Sequence, residues 1–145
     1  MRTNLEVHRT AHPDPNTWIV FFPWPTNPLP MNGSYGHWRS HSKKARAVLD
    51  EAISMIRYAR IPALGMCRAQ VTWWVEKNRV RDVDNLADLE KRLFDALVRV
   101  DVVADDRPEL MDKPRAVIRH INDSDGMITM TGFTLTVTRI AAVTA

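Results

Sequence analysis

The chain has 145 residues, 45% of them hydrophobic, and a single cysteine, which suits one globular domain and excludes both a fully disordered chain and an internal disulfide. Its 20 Lys and Arg against 17 Asp and Glu give a net charge of +3, which favours a polyanionic partner only weakly. No apolar run approaches the roughly 18 residues of a membrane span, and the polar start lacks a signal-peptide apolar region, so we expect a cytoplasmic protein without a membrane partner.

The first strand is predicted at the run TWIVFF, residues 17–22. We expect residues 1–16 to form a flexible tail, because they are polar and show no hydrophobic periodicity. TWIVFF is rich in β-forming residues and stops at Pro23. The stretch PWPTNPLPMNGSYGH that follows contains four Pro and two Gly, which predicts a loop with a restricted backbone.

A helix and a second strand are predicted next. From Ser42 to about Arg60 the apolar residues recur at steps of three and four, which predicts one buried helical face. The stretch MCRAQVTWWVEK has the composition of a strand, with Trp73 and Trp74 on opposite faces. We therefore expect both faces of the sheet to be covered at least in part. Core packing is the first expectation for these two Trp residues, and a dimer interface is the alternative.

The second helix has the clearest pattern, a stripe formed by Leu86, Leu89, Leu93, Leu97 and Val100. Asn85, with Asp88 three residues further on, resembles a capping pair at the start of this helix. The runs PRAVIRHI and GMITMTGFTLTVTRI then predict two strands, joined through NDSDG as an antiparallel hairpin. The resulting order β-α-β-α-β-β predicts an α+β fold, a mixed sheet with two main helices, in one domain at 17–140 followed by a short tail at 141–145.

Four aspartates lie where folding could gather them. Asp82 and Asp84 would point to the same side if the strand remains extended, and Asp105 and Asp106 follow the far end of the second helix. Gathered carboxylates repel each other unless a cation lies between them, and oxygen ligands without His or Cys favour Mg²⁺ over zinc. The alternatives are that Asp84 caps the helix and that Asp105 and Asp106 belong to a polar loop.

Three clusters of basic residues flank this acidic group in the sequence. Each cluster alone fits a solvated surface, but three clusters around one acidic group favour phosphate binding. The candidate DNA-binding residues among them are Arg39, Lys43, Lys44, Arg46, Lys77, Arg79, Arg81 and Arg119. Lys113 and Arg115 belong to the same cluster as Arg119. His41 is read as a surface histidine, with a phosphate contact or a general base as alternatives.

The stretches PWPTNPLPMN, RDVDNLADLEKRLFDAL and VVADD together resemble the RusA family of Holliday junction resolvases. In that family a P-W-P loop follows the first strand, an R-D-x-D-N-L motif opens the second helix, and a hydrophobic-D-D motif closes the site. The resemblance runs from about Trp18 to Ile140. It implies a small homodimeric endonuclease that uses Mg²⁺, with Mn²⁺ as a substitute, to resolve four-way DNA junctions and other branched DNA.

The resemblance also implies roles for single residues. Asp82, Asp84 and Asp106 would be the catalytic, metal-binding carboxylates, with Asp105 as an adjacent ligand. Lys91 would be the catalytic lysine, although it lies about three residues later than the family lysine, and an exposed lysine paired with Asp88 or Asp95 is the alternative. Two further residues lie in a region that resembles the family's junction-facing surface and are candidate DNA contacts: Asn32 and Tyr35.

Two other functions compete with the nuclease. A catalytically silent DNA-binding module is disfavoured by the intact acidic set, since uncompensated carboxylates would repel phosphates. A metal-dependent nucleotide hydrolase is disfavoured by the missing Gly-rich phosphate loop and the small size.

Asn85 could orient a carboxylate, although a role as a helix cap explains this residue equally well.

Overall fold

The structure, a computed structural model, describes residues 14–31, 38–77 and 81–140, and for Trp38 and Arg39 it describes the backbone alone. Two short 3-10 helices lie at Val83–Leu86 and Ile121–Ser124. The remaining elements, in chain order, are β1 (Thr17–Phe22), α1 (Trp38–Ala59), β2 (Cys67–Val75), α2 (Ala87–Arg99), β3 (Met111–Asp112), β4 (Val117–His120) and β5 (Gly132–Arg139).

The predicted α+β fold, with a mixed sheet and two helices, is confirmed. The five strands form one sheet in the order β1-β5-β2-β3, and β4 also pairs with β2. β5 runs antiparallel to both β1 and β2, whereas β3 and β4 run parallel to β2. The two-residue strand β3 has no signal in the hydrophobic pattern, because a strand this short shows no alternation.

The predicted hairpin between the last two strands is wrong. β4 pairs with the end of β2, from Thr72↔Val117 to Val75↔His120, while β5 inserts between β1 and β2. The turn-rich sequence NDSDG forms a 3-10 helix that ends at Asp125 in the left-handed conformation. The Ser124 hydroxyl hydrogen-bonds with the backbone of Ile121 and Ile128 and so stabilises a long connection between β4 and β5. Burial of β5 at the centre of the sheet therefore overrides the local turn signal.

The main core lies between the sheet and the two helices. It contains Val20 and Phe22 of β1, Leu135 of β5 and the buried stripe of α2. A second, smaller cluster on the other face joins Phe21, Trp74 and Ile128, with Ile121 packed against it. Cover on both faces of the sheet, which the two neighbouring tryptophans predict, is therefore confirmed.

Both tryptophans of β2 are held by specific contacts. Trp73 stacks on Phe133 with ring centroids 5.1 Å apart, and Trp74 donates its indole N–H to Thr134 Oγ1 at 2.9 Å. Trp74 is only 4% exposed.

Along the described ranges, no helix has the length and apolarity needed to cross a membrane.

The predicted tails fall mostly outside the described residues. Residues 1–13 and 141–145 are not described, and the described part of the first tail, 14–16, forms a turn. Asp14 accepts the backbone N–H groups of Asn16 and Thr17, and Asn16 accepts the backbone N–H of Arg139 at 2.8 Å. This turn therefore ties the start of β1 to the end of β5.

Candidate functional site

Asp82 caps the 3-10 helix that leads into α2. Its backbone is extended, and its side chain accepts the backbone N–H of Asp84 at 2.9 Å. The predictions that Asn85 or Asp84 caps the second helix are wrong, because both residues lie inside this 3-10 helix. The N-cap position of α2 itself is Leu86, which has no side-chain capping bond. Asp82 is exposed to solvent.

Asp84 is 80% exposed and forms an ion pair with Arg115, with Nη2 2.9 Å from Oδ1. Arg115 lies in the segment between β3 and β4, and its carbonyl accepts the side-chain amide of Gln70 at 2.9 Å. That bond attaches the segment to β2. An ion pair this exposed contributes about 0–1 kcal/mol, so it is readily exchanged for another partner.

Asp106 is paired in the same way with Lys113, at 3.3 Å. Lys113 also lies 5.4 Å from the ring centroid of Phe94 on α2, and Asp105 accepts the backbone N–H of Asp106 at 2.8 Å. Lys113 and Arg115 are two residues apart. The chain therefore does return after α2, and one aspartate of each acidic pair contacts the same short basic segment.

We call Asp82, Asp84, Asp105 and Asp106 the acidic corner. Within residues 14–31, 38–77 and 81–140, no group of three or more His, Cys, Asp or Glu side chains is close enough to hold one metal ion. Two of the four predicted carboxylates, those of Asp84 and Asp106, thus pair with cations of one basic segment, whereas Asp82 and Asp105 each accept a backbone N–H.

Glu90 is a site residue that sequence reasoning missed. Burial raises the pKa of its carboxyl, and the charge of Arg115 opposes that rise. Glu90 and Asp84 therefore share the influence of one guanidinium. A signal was present in the sequence, because Glu90 lies four residues after Leu86 and three before Leu93, within the apolar stripe of α2.

The Pro-rich loop is anchored on the helix that follows the acidic motif. Asn27 donates its side-chain amide to the carbonyl of Asn85 at 3.0 Å, and the side chain of Asn85 accepts the backbone N–H of Met31 at 2.5 Å. Trp24 stacks on Phe22 at 4.7 Å and donates its indole N–H to Glu51 at 3.1 Å. Asn85 thus holds the loop beside the acidic corner.

His41 is not a plain surface residue. Its Nε2 lies 2.6 Å from Oδ2 of Asp88, whose side chain is only 14% exposed, and Arg92 approaches the other oxygen of Asp88 at 3.6 Å. Asp88 therefore links α1 to α2. The sequence gives no sign of this contact, because His41 and Asp88 are 47 residues apart.

Lys91 is exposed and lines a cavity of about 480 Å³ together with Pro30, Met31, His41 and Asp88. Across the described residues it forms no ion pair, so the predicted pairing with Asp88 or Asp95 is not observed. Its position beside the anchored Pro-rich loop is open to a ligand.

The predicted DNA-binding residues fall into three groups. Lys43, Lys44 and Arg46 are exposed on α1, as is Lys77 after β2. Two are engaged with tryptophans, Arg81 at 5.2 Å from the ring of Trp73 and Arg119 at 5.1 Å from that of Trp74. The remainder lie outside the described residues or have an undescribed side chain: Asn32, Tyr35, Arg79 and Arg39.

No protein-family model matches the chain, and no curated protein matches it significantly. The resemblance to the RusA family stays a prediction that rests on the sequence motifs.

Proposed function

We propose that the chain is a metal-dependent endonuclease of the RusA type that acts on branched DNA, with four-way junctions as its preferred substrate. The observation that carries this proposal is that Asp84 and Asp106 contact two cations on one segment, Arg115 and Lys113. Two carboxylates far apart in the chain thus contact one basic segment, and this supports phosphodiester hydrolysis, which needs carboxylates to hold a metal and cations to bind phosphate.

The acidic corner fits Mg²⁺ by its donor chemistry. All its donors are hard carboxylate oxygens, which Mg²⁺ and Mn²⁺ prefer, and the residues that would hold the ion are Asp82, Asp84 and Asp106, with Asp105 adjacent. Arg115 and Lys113 together carry the same +2 charge as one divalent cation. Their ion pairs are partly or largely exposed, so exchanging them for a metal costs little.

A metal held by Asp82, Asp84 and Asp106 would supply Lewis-acid chemistry for the activation of water and phosphate. Arg115 and Lys113, once released from the carboxylates, would lie where they can donate hydrogen bonds to the oxygens of the attacked phosphate. Lys91 would bind a neighbouring phosphate from its place beside the Pro-rich loop. These cations act on charge that develops as the P–O bond breaks.

The substrate is held by exposed basic side chains, among them Lys43 and Lys44 on α1 and Lys77 after β2. Their contacts to phosphate release counterions, so affinity should fall steeply with salt. A homodimer suits a four-way junction, because two symmetric active sites can cut two opposed strands.

The test incubates the purified protein with a synthetic four-way junction and Mg²⁺, in parallel with a plain duplex. We expect cleavage of the junction, little cleavage of the duplex, and an Asp82→Asn variant that binds the junction without cutting it. Equal cleavage of both substrates, or full activity of the variant, would reject the proposal.

A catalytically silent DNA-binding module is the second candidate. It is favoured by the observation that Asp82, Asp84 and Asp106 each have a protein partner, while the described residues contain no three-membered metal-binding group. Junction binding measured with and without EDTA, together with analysis of products, separates the two candidates. If junction binding is the same with and without EDTA and no cleavage product forms, the protein is the silent module.

A further inference from the structure

A cleft of about 450 Å³ opens between α1 and α2. Three arginines from the two helices line it, Arg46 from α1 and Arg92 and Arg99 from α2, together with His41 and Asp50. None of the four aspartates of the acidic corner lines it. We call this feature the arginine cleft.

The donors of these arginines are largely unfilled. Within the part of the chain that the structure describes, Arg46 and Arg99 form no ion pair, and Nε of Arg92 is buried without a hydrogen-bond partner. The contact of Arg92 with Asp88, at 3.6 Å, is longer than a hydrogen bond. A guanidinium carries five N–H donors, so the cleft presents many donors and few acceptors.

The one carboxylate that lines the cleft leaves positive charge in excess. Asp50 follows Arg46 by one helical turn, and three arginines face this single acid. Asp88, behind Arg92, is shared with His41 at 2.6 Å. Positive charge held on two packed helices attracts an anion without the cost of ordering a loop.

We infer that the arginine cleft binds a phosphate group. Guanidinium forks match the spacing of phosphate oxygens and bind them with paired hydrogen bonds, and three guanidinium groups line this one cleft. The phosphate belongs either to the backbone of a DNA strand or to a free phosphoester such as a nucleotide. If the phosphate belongs to DNA, the inference rests on the proposed function and extends the DNA-binding role predicted for Arg46. Because phosphate binding requires neither metal nor cleavage, it can fail separately from the proposed nuclease activity.

The test uses NMR of the arginine Nε–H groups of the full-length, ¹⁵N-labelled protein in EDTA. Pyrophosphate, a mononucleotide and a short duplex are titrated separately at constant ionic strength. We expect the Nε–H signal of Arg92 to shift on saturation. The double variant Arg46→Gln/Arg99→Gln, with both positions exposed and therefore compatible with folding, should bind at least about tenfold more weakly.

Arg57→Gln is the matched control, since Arg57 is an exposed arginine of α1 that does not line the cleft. It should keep the affinity of the unaltered protein. Saturation by duplex without a response to pyrophosphate or nucleotide assigns the site to a DNA strand, and the reverse assigns it to a free phosphoester. An unmoved Arg92 signal with all three probes, or equal weakening by Arg57→Gln, overturns the inference.

Discussion

Different forces hold the acidic corner and the small cluster around Trp74. Asp84 is 80% exposed and has a single ion pair, whereas Trp74 is 4% exposed and packs against Phe21 and Ile128. Exposed ion pairs contribute little to stability, while buried aromatic residues contribute several kcal/mol. Substitutions in the corner should therefore change chemistry, and substitutions in the cluster should change stability.

The largest effect is expected from Asp84→Asn. The variant keeps the size of the side chain and removes a charge that the proposed function assigns to metal binding, so on that proposal junction cleavage should fall at least about a hundredfold, given the several kcal/mol of charge stabilisation that a metal supplies. The free energy of unfolding should change by less than about 1 kcal/mol, because only an exposed ion pair is lost. Single-turnover cleavage and thermal melting measure the two quantities.

Asp101→Asn is the matched control for this charge removal. Asp101 is exposed after α2 and has a positive φ of 63°, which Asn tolerates well. It should leave both cleavage and melting unchanged. A large loss of stability in Asp84→Asn would show that the corner is structural and would remove the contrast with the Trp74 cluster.

The next largest effect is expected from Gly132→Ala, next to that cluster. A methyl group at Gly132 would clash with the ring of Phe21 and would lie 2.7 Å from the carbonyl oxygen of Phe22. The backbone of β1 must then shift, which should cost about 1–3 kcal/mol of unfolding free energy. Denaturant unfolding measures this loss.

The control is Gly65→Ala, since an added methyl group there meets nothing within 4 Å. That substitution should be neutral or stabilise the protein by up to about 1 kcal/mol through the unfolded state. Equal losses for both variants would mean that the packing of Phe21 against Gly132 does not limit stability. The folded Gly132→Ala protein should have the same catalytic activity as the unaltered protein.

Local patterns in the sequence were sufficient for the fold class. The stripe of leucines predicted α2, and the alternation around Trp73 and Trp74 predicted β2, because these signals depend on residues a few positions apart. The hairpin failed since strand pairing depends on which strand is buried at the centre of the sheet. β5 fills that place, and no local turn sequence encodes it.

The candidate site was predictable only in part, for the same reason. The acidic motifs identified the aspartates, but their partners Arg115 and Lys113 come from a segment whose return depends on β3 and β4. The contact of His41 with Asp88 likewise needs α1 and α2 to pack together. Sequence reasoning thus named the aspartates and the basic cluster that contains Lys113 and Arg115, but it did not predict which cation pairs with which carboxylate.

The smallest effect concerns Glu90, where the corner meets the core. Burial raises the pKa of this carboxyl in the folded protein, so the folded state holds the proton more tightly than the unfolded state. Stability is therefore greater below the ordinary pKa of 4.5 and falls as the pH rises through the folded pKa. Glu90→Gln removes the cost of burying a charged carboxylate. Its melting temperature should therefore be slightly higher than that of the unaltered protein at neutral pH and equal to it in acid.

Substitution of Arg115 tests whether its charge reduces the cost of ionising the half-buried Glu90. Since the charge of Arg115 lowers the pKa of Glu90, Arg115→Gln should destabilise the protein at neutral pH more when Glu90 is present than in the Glu90→Gln background. The double-mutant cycle cancels the loss of the Asp84 ion pair, which occurs in both backgrounds. A coupling that is unchanged in acid would indicate packing instead of charge. A coupling that vanishes as Glu90 is protonated would mean that one guanidinium balances an exposed acid of the corner and a half-buried acid of the core.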